Sequence, residues 1–225
     1  MSVEPVRVKI CGVTAPEHAL AAAEAGADFL GLMFAPESRR AVTPERAGAI
    51  VAALRAAFPP PAGPKLVGVF VNEAPTVIRG LVEALGLDLV QLSGDEPWEA
   101  LYDVPRPAFK AYRVPDGVPA DVAAAALEQG RAMLEATRSV CLLDAAVAGQ
   151  HGGTGRRVDW TVAAHLARQL PVLLAGGLTP ENVEEAVVQV RPWGVDVSSG
   201  VETGGVKDME KIRAFVRAVR EADVR

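Results

Sequence analysis

Aromatic residues are scarce in this chain of 225 residues, only 5% of the total, so a core has to be built mainly from Ala, Val and Leu. Half of the residues are hydrophobic, which is enough for a sizeable one. Cysteine is nearly absent: Cys11 and Cys141 could make one bridge, but two thiols are no disulfide framework of the secreted kind. No apolar run approaches the ~18 residues needed to span a bilayer. The opening Met-Ser-Val-Glu-Pro-Val has neither the charge nor the apolar segment of a signal peptide. There is no basic excess either. A net charge of −5 and a pI near 5.3 give no field for nucleic acid or an anionic membrane. Histidine is rare, and His18, His151 and His165 show no ligand spacing, so no metal site is expected and surface roles are assigned to them. These absences leave the expectation of a soluble, cytoplasmic protein.

What is present is a regular alternation. Short apolar strands near 6–11, 28–34, 66–71, 88–92, 108–112, 139–143, 171–175 and 195–198 are separated by Ala-rich helical stretches. The helices fall at 16–25, 44–57, 75–85, 97–102, 120–136, 159–168, 180–190 and 207–221. Punctuation supports the count. Gly26, Gly86 and Gly194 stand where C-capping glycines belong. Thr43-Pro44-Glu45 and Thr179-Pro180-Glu181 read as N-caps with an acid in the first turn, and Thr14-Ala15-Pro16-Glu17 as a looser version. Met209, Ile212, Val216 and Val219 form one stripe on the last helix. Eight βα units in this length point to one α/β domain over 1–225, a (β/α)8 TIM barrel with its core in 6–221. A doubly wound open sheet fits the same count. In both, ligands bind beyond the carboxyl ends of the strands.

The first strand has two unlike faces. Val6, Val8 and Ile10 suit a cover of helices, while Arg7, Lys9 and Cys11 point the other way, and Gly12 ends the strand. A lysine and a thiol on one face are an odd choice for packing, although a buried structural thiol also fits. Strand 2 leads into Glu37-Ser38-Arg39-Arg40 and strand 4 into Gln91-Leu92-Ser93-Gly94-Asp95. Strand 6 ends at Asp144, which on position alone is as readily a helix cap or ion-pair partner as a catalytic acid. Cys141 has the opposite parity from Leu142 and Asp144 and reads as a core residue. Gly176-Gly177 and Ser198-Ser199-Gly200 follow strands 7 and 8; each could be a tight turn, but on adjacent strand ends they favour an anion site. In a closed barrel strand 8 meets strand 1, so Asp196 is expected beside Lys9, which needs a partner if buried.

Lys9-Ile10-Cys11-Gly12, Ser38-x-Arg40, Gly68-Val69-Phe70-Val71-Asn72 and Leu142-Leu143-Asp144 resemble the phosphoribosylanthranilate isomerase family. So do Gly152-Gly153-Thr154-Gly155 with Asp159-Trp160, Ala175-Gly176-Gly177-Leu178, and Asp196-Val197-Ser198-Ser199-Gly200-Val201-Glu202. The motifs run in family order over residues 6–221. The resemblance implies a TIM barrel of tryptophan biosynthesis that performs an Amadori rearrangement without a cofactor. It implies Cys11 as general base and Asp144 as general acid. Arg40 would take the anthranilate end, with Lys9, Asp196 and Ser93 at the substrate and the Gly176-Gly177 and Ser198-Ser199-Gly200 loops on the phosphate. Lys9 would help ionise Cys11, and Asp144 would need burial to keep its proton. The glycine-rich loop at Gly149, Gly152, Gly153 and Gly155 would act as a lid. One departure stands out: Ser93 replaces the histidine of the family's usual Gln-Leu-His-Gly, read as a change in substrate contacts or rate. The rivals are another sugar-phosphate barrel isomerase or lyase, and a non-catalytic phosphate-binding barrel. Members of such families occur as monomers and homodimers.

Overall fold

The computed structural model describes residues 5–145 and 158–223. Eight parallel strands close into a barrel in chain order. They are β1 (Arg7–Cys11), β2 (Phe29–Met33), β3 (Lys65–Phe70), β4 (Leu89–Leu92), β5 (Ala108–Val114), β6 (Val140–Ala145), β7 (Val172–Leu174) and β8 (Gly194–Val197). β1 pairs with both β2 and β8, and Lys9 is the register partner of Asp196. That closure excludes the open sheet. The outer layer consists of α1 (Pro16–Ala25), α2 (Pro44–Ala57), α3 (Pro75–Leu85), α4 (Ala120–Thr137), α5 (Trp160–Ala167), α6 (Val183–Val190) and α7 (Met209–Asp223).

Local chemistry explains most of the boundaries. The Thr43 hydroxyl accepts a hydrogen bond from the Arg46 N–H (3.2 Å) and opens α2. Gly26 (φ 90°) and Gly86 (φ 62°) end α1 and α3 in the left-handed region. Several expectations are corrected. The stretch 97–102 forms only a 3-10 helix, Trp98–Tyr102. α1 starts behind Ala15 without a capping side chain. α6 starts at Val183 because Asn182 folds back, accepting from Thr179 N–H (2.8 Å) and donating to the Gly177 carbonyl (3.0 Å). Arg191 (φ 51°), not Gly194, caps α6. Gly194 belongs to β8, where an added Cβ would lie 2.9 Å from the Arg7 carbonyl oxygen. Ile212, Val216 and Val219 of the α7 stripe are buried, but Met209 at its start is 43% exposed. His18 is buried on α1 rather than at the surface. A two-stranded hairpin after β8, β9 (Glu202–Thr203) with β10 (Val206–Lys207), has no counterpart in the expected elements.

Side-chain parity divides the core in two. Val8, Ile10, Leu30, Leu32, Leu143 and Cys141 pack between barrel and helices. Phe29, Val67, Phe109, Leu142, Leu173 and Ala175 fill the barrel itself. Among them Phe29 meets Phe109 edge-on at 5.2 Å, and the Arg7 guanidinium lies 4.4 Å over the Trp193 ring. This layer packs the amino-terminal end of the barrel, and the polar side chains gather at the other end. Truncating Phe109, which is fully buried, would cost about 3–5 kcal/mol by the usual cost of a core cavity. The proposed lid glycines and His151 lie outside the described residues.

Candidate active site

The strand ends supply one mouth. Cys11, Arg40, Ser93, Asp144, Asp196, Gly176, Gly177, Ser198, Ser199 and Gly200 all line it. Lys9 does not: it is wholly buried one layer deeper and bears on the mouth through its partners. Its Nζ bonds Asp196 Oδ1 at 2.9 Å, the contact expected from barrel closure. The Cys11 thiol shares its face of β1, and ammonium and thiol act on each other's titration. Room for this pair comes from Gly31 on β2. A Cβ there would sit 2.9 Å from Cys11 Sγ and 3.2 Å from Lys9 Nζ. Gly12 (φ 72°) makes room for Arg40, whose Cδ would be 2.4 Å from an added Cβ.

The two titratable groups that matter are held differently. Burial pushes the Cys11 thiol above its ordinary value; Lys9 opposes this, and Asp196 reinforces it. The ionising help expected from Lys9 is present but does not win. Burial likewise pushes Asp144 up to about 6, while the Ala145 N–H on Oδ1 (2.8 Å) pulls it down. Asp196 raises it further, and Arg113 and Lys9 lower it. Lys9 keeps its proton: burial disfavours the charge, but Asp196 and Cys11 outweigh it, and the pKa is raised. β1 and β6 are separated by β7 and β8, which sets thiol and carboxyl on different sides of the mouth.

The loops after β7 and β8 are interlocked. Gly176 (φ 85°) and Gly177 (φ 63°) turn through the left-handed region. A Cβ on Gly200 would lie 1.9 Å from the Leu178 carbonyl oxygen, so only glycine lets the loops touch. The Ser198 hydroxyl donates to the Cys11 carbonyl (3.1 Å), tying the loop to the end of β1.

Other residues in and behind the mouth escape the sequence pattern. Gln91 donates from Nε2 to the Ser93 hydroxyl (2.8 Å), and its buried Oε1 has no partner among the described residues. Arg113 stands beside Asp144 in register, donating to Asp95 Oδ1 (2.9 Å) and to the Ser93 carbonyl. Strand 5 reads as ending at 112, so Arg113 fell outside it; its parity with Phe109 and Ala111 was the available signal. Glu202 accepts from Arg40 Nε (2.6 Å) and Nη2 (3.0 Å), a contact that sequence spacing does not reveal.

Fold and mouth together define a (β/α)8-barrel enzyme with a polar, titratable mouth beyond the carboxyl ends of the strands. Residues 8–218 match the family model described as N-(5'phosphoribosyl)anthranilate (PRA) isomerase. The N-(5'-phosphoribosyl)anthranilate isomerase of Roseiflexus sp. (strain RS-1) is 50% identical over 219 residues, covering 96% of this chain and 99% of that one. The barrel also superposes on a solved structure of monomers generated from the dimeric phosphoribosylanthranilate isomerase of Thermotoga maritima, with a TM-score of 0.78, 34% identity and coverage of 96% and 99%. A phosphoribosyl anthranilate isomerase in complex with reduced 1-(o-carboxyphenylamino)-1-deoxyribulose 5-phosphate gives 0.76, 37%, 96% and 99%. The chain belongs to the phosphoribosylanthranilate isomerase family of tryptophan biosynthesis, isomerases that catalyse an intramolecular rearrangement.

Proposed function

We propose that this mouth converts N-(5-phosphoribosyl)anthranilate to 1-(2-carboxyphenylamino)-1-deoxyribulose 5-phosphate by an Amadori rearrangement. Asp144 gives a proton to the furanose ring oxygen as the C1–O bond breaks, and the anthranilate nitrogen lone pair forms the open-chain iminium. Cys11, as thiolate, takes the proton from C2, and that electron pair makes the C1–C2 double bond of an enolamine. Moving the hydroxyl proton of C2 to C1 gives the ketone. The substrate gains one proton at the ring oxygen and loses one at C2, exchange with solvent moves the proton from Cys11 back to Asp144, and no electron leaves the substrate.

The observation that carries this reading is one mouth holding a carboxyl with its pKa pushed up to about 6 and a thiol that packs with the buried Lys9 ammonium around Gly31. The Gly176-Gly177 and Ser198-Ser199-Gly200 loops present the turned backbone that suits a 5-phosphate. Arg40 suits the anthranilate carboxylate. Asp196 and Ser93 line the sugar's path, while Lys9 acts through Cys11 and Asp196. Turnover of freshly generated phosphoribosylanthranilate, followed by loss of anthranilate fluorescence, tests the reading. Folded protein without turnover would end it.

A further inference from the structure

Arg40 lines the mouth on one side and a second, neighbouring cavity on the other, and Glu202 stands in that second cavity. Glu202 is 9% exposed. It opens the β9–β10 hairpin, whose turn residues Gly204 (φ 60°) and Gly205 (φ 84°) bring Lys207 into register with it. Four donors converge on its carboxylate. Oε1 accepts from Arg40 Nε (2.6 Å) and Lys207 Nζ (2.7 Å). Oε2 accepts from Arg40 Nη2 (3.0 Å) and Arg39 Nη2 (2.7 Å).

The geometry uses one edge of the Arg40 fork and spares the other. A guanidinium has five N–H donors. Glu202 takes Nε–H and one of Nη2, so both hydrogens of Nη1 and the second of Nη2 have no acceptor among the described residues. That spare edge is itself a bidentate carboxylate receptor. The charge balance points the same way. Two buried cations, Arg40 and Lys207, share a single buried carboxylate with the exposed Arg39, so positive charge is left over. Lys207 also donates to the Ser198 carbonyl (2.9 Å), which links the cluster to the loop after β8.

We propose that Glu202 is the positioning residue for carboxylate recognition: it grips Arg40 from behind and presents its remaining edge to the substrate's benzoate carboxylate. The proposal rests on the reading that Arg40 binds that carboxylate. Two ligands test it, reduced 1-(o-carboxyphenylamino)-1-deoxyribulose 5-phosphate and its counterpart lacking the carboxylate, with Kd measured by calorimetry for wild type, Glu202→Gln, Glu202→Asp and Arg40→Ala. Wild type should prefer the carboxylated ligand, and Glu202→Gln should lose about tenfold of that preference by removing a charge-assisted grip. Its kcat should stay within about threefold of wild type while KM rises. Glu202→Asp, which keeps the charge, should lose less, and it carries the test if Glu202→Gln does not fold. Equal weakening toward both ligands in the Glu202 variants, with Arg40→Ala still carboxylate-selective in its loss, would overturn the proposal alone. Equal weakening in Arg40→Ala would overturn the Arg40 reading, and the proposal with it.

Discussion

Between about pH 6 and a point above the ordinary thiol range, kcat/KM should be flat, because the acid and the base share one proton on a plateau. Asp144 titrates at about 6, and Cys11 above its ordinary 9.0. At neutral pH the resting pair is therefore carboxylate and thiol, while the proposed chemistry needs carboxylic acid and thiolate. Both arrangements carry one proton, so their ratio does not change with pH. With at least three pH units between the groups, the reactive arrangement is about one part in a thousand or less, equivalent to roughly 4 kcal/mol. The assay is kcat/KM from about pH 5 to about pH 10, since that ratio reports the free enzyme. The acid limb should lie near Asp144's value of about 6 and disappear in Asp144→Asn. A limb that survives that change belongs to the substrate phosphate, whose second pKa is also about 6. A narrow bell that falls steadily from pH 6 to pH 8 would refute the reasoning, for it would mean that Lys9 outweighs burial and holds the thiol below Asp144.

Asp196→Ala strands the buried Lys9 charge and should cost about 3–5 kcal/mol, read as a lower midpoint in chemical denaturation. A double variant Lys9→Met/Asp196→Leu should recover much of that stability without activity. Gly31→Ala pushes a methyl against Cys11 Sγ, so kcat should fall more than KM changes, with about 1–3 kcal/mol lost to overpacking. Arg113→Met removes a cation that lowers Asp144, so the acid limb should move upward; an unmoved limb would separate that arginine from the acid.

The strands were legible to within a residue or two because alternation and Gly/Pro punctuation are local signals. Arg7, Lys9 and Cys11 against Val8 and Ile10 fixed which face looks inward before any pairing was known. Where expectations slipped, nonlocal contacts decided. Gly194 looked like a helix cap but serves the approach of Arg7 and Leu173. Asn182 delays α6 by bonding to the glycine loop. The two-residue strands of the Glu202–Lys207 hairpin are too short for any periodicity. At the site, spacing named the residues but not their balance. Alternation places Lys9 beside Cys11, yet it cannot weigh an ammonium against complete burial. Nor does a run such as Ser38-Arg39-Arg40 announce that its second arginine is held by a carboxylate 162 positions away.

The assignment of base and acid is open to a chemical trap. During turnover by Cys11→Ala, borohydride quenching should capture the open-chain imine as the reduced ribitol derivative, because Asp144 still opens the ring while C2 keeps its proton. Asp144→Asn should yield little above the uncatalysed level. Wild-type turnover by Cys11→Ala, or imine captured with Asp144→Asn and not with Cys11→Ala, would contradict the roles given to the two residues.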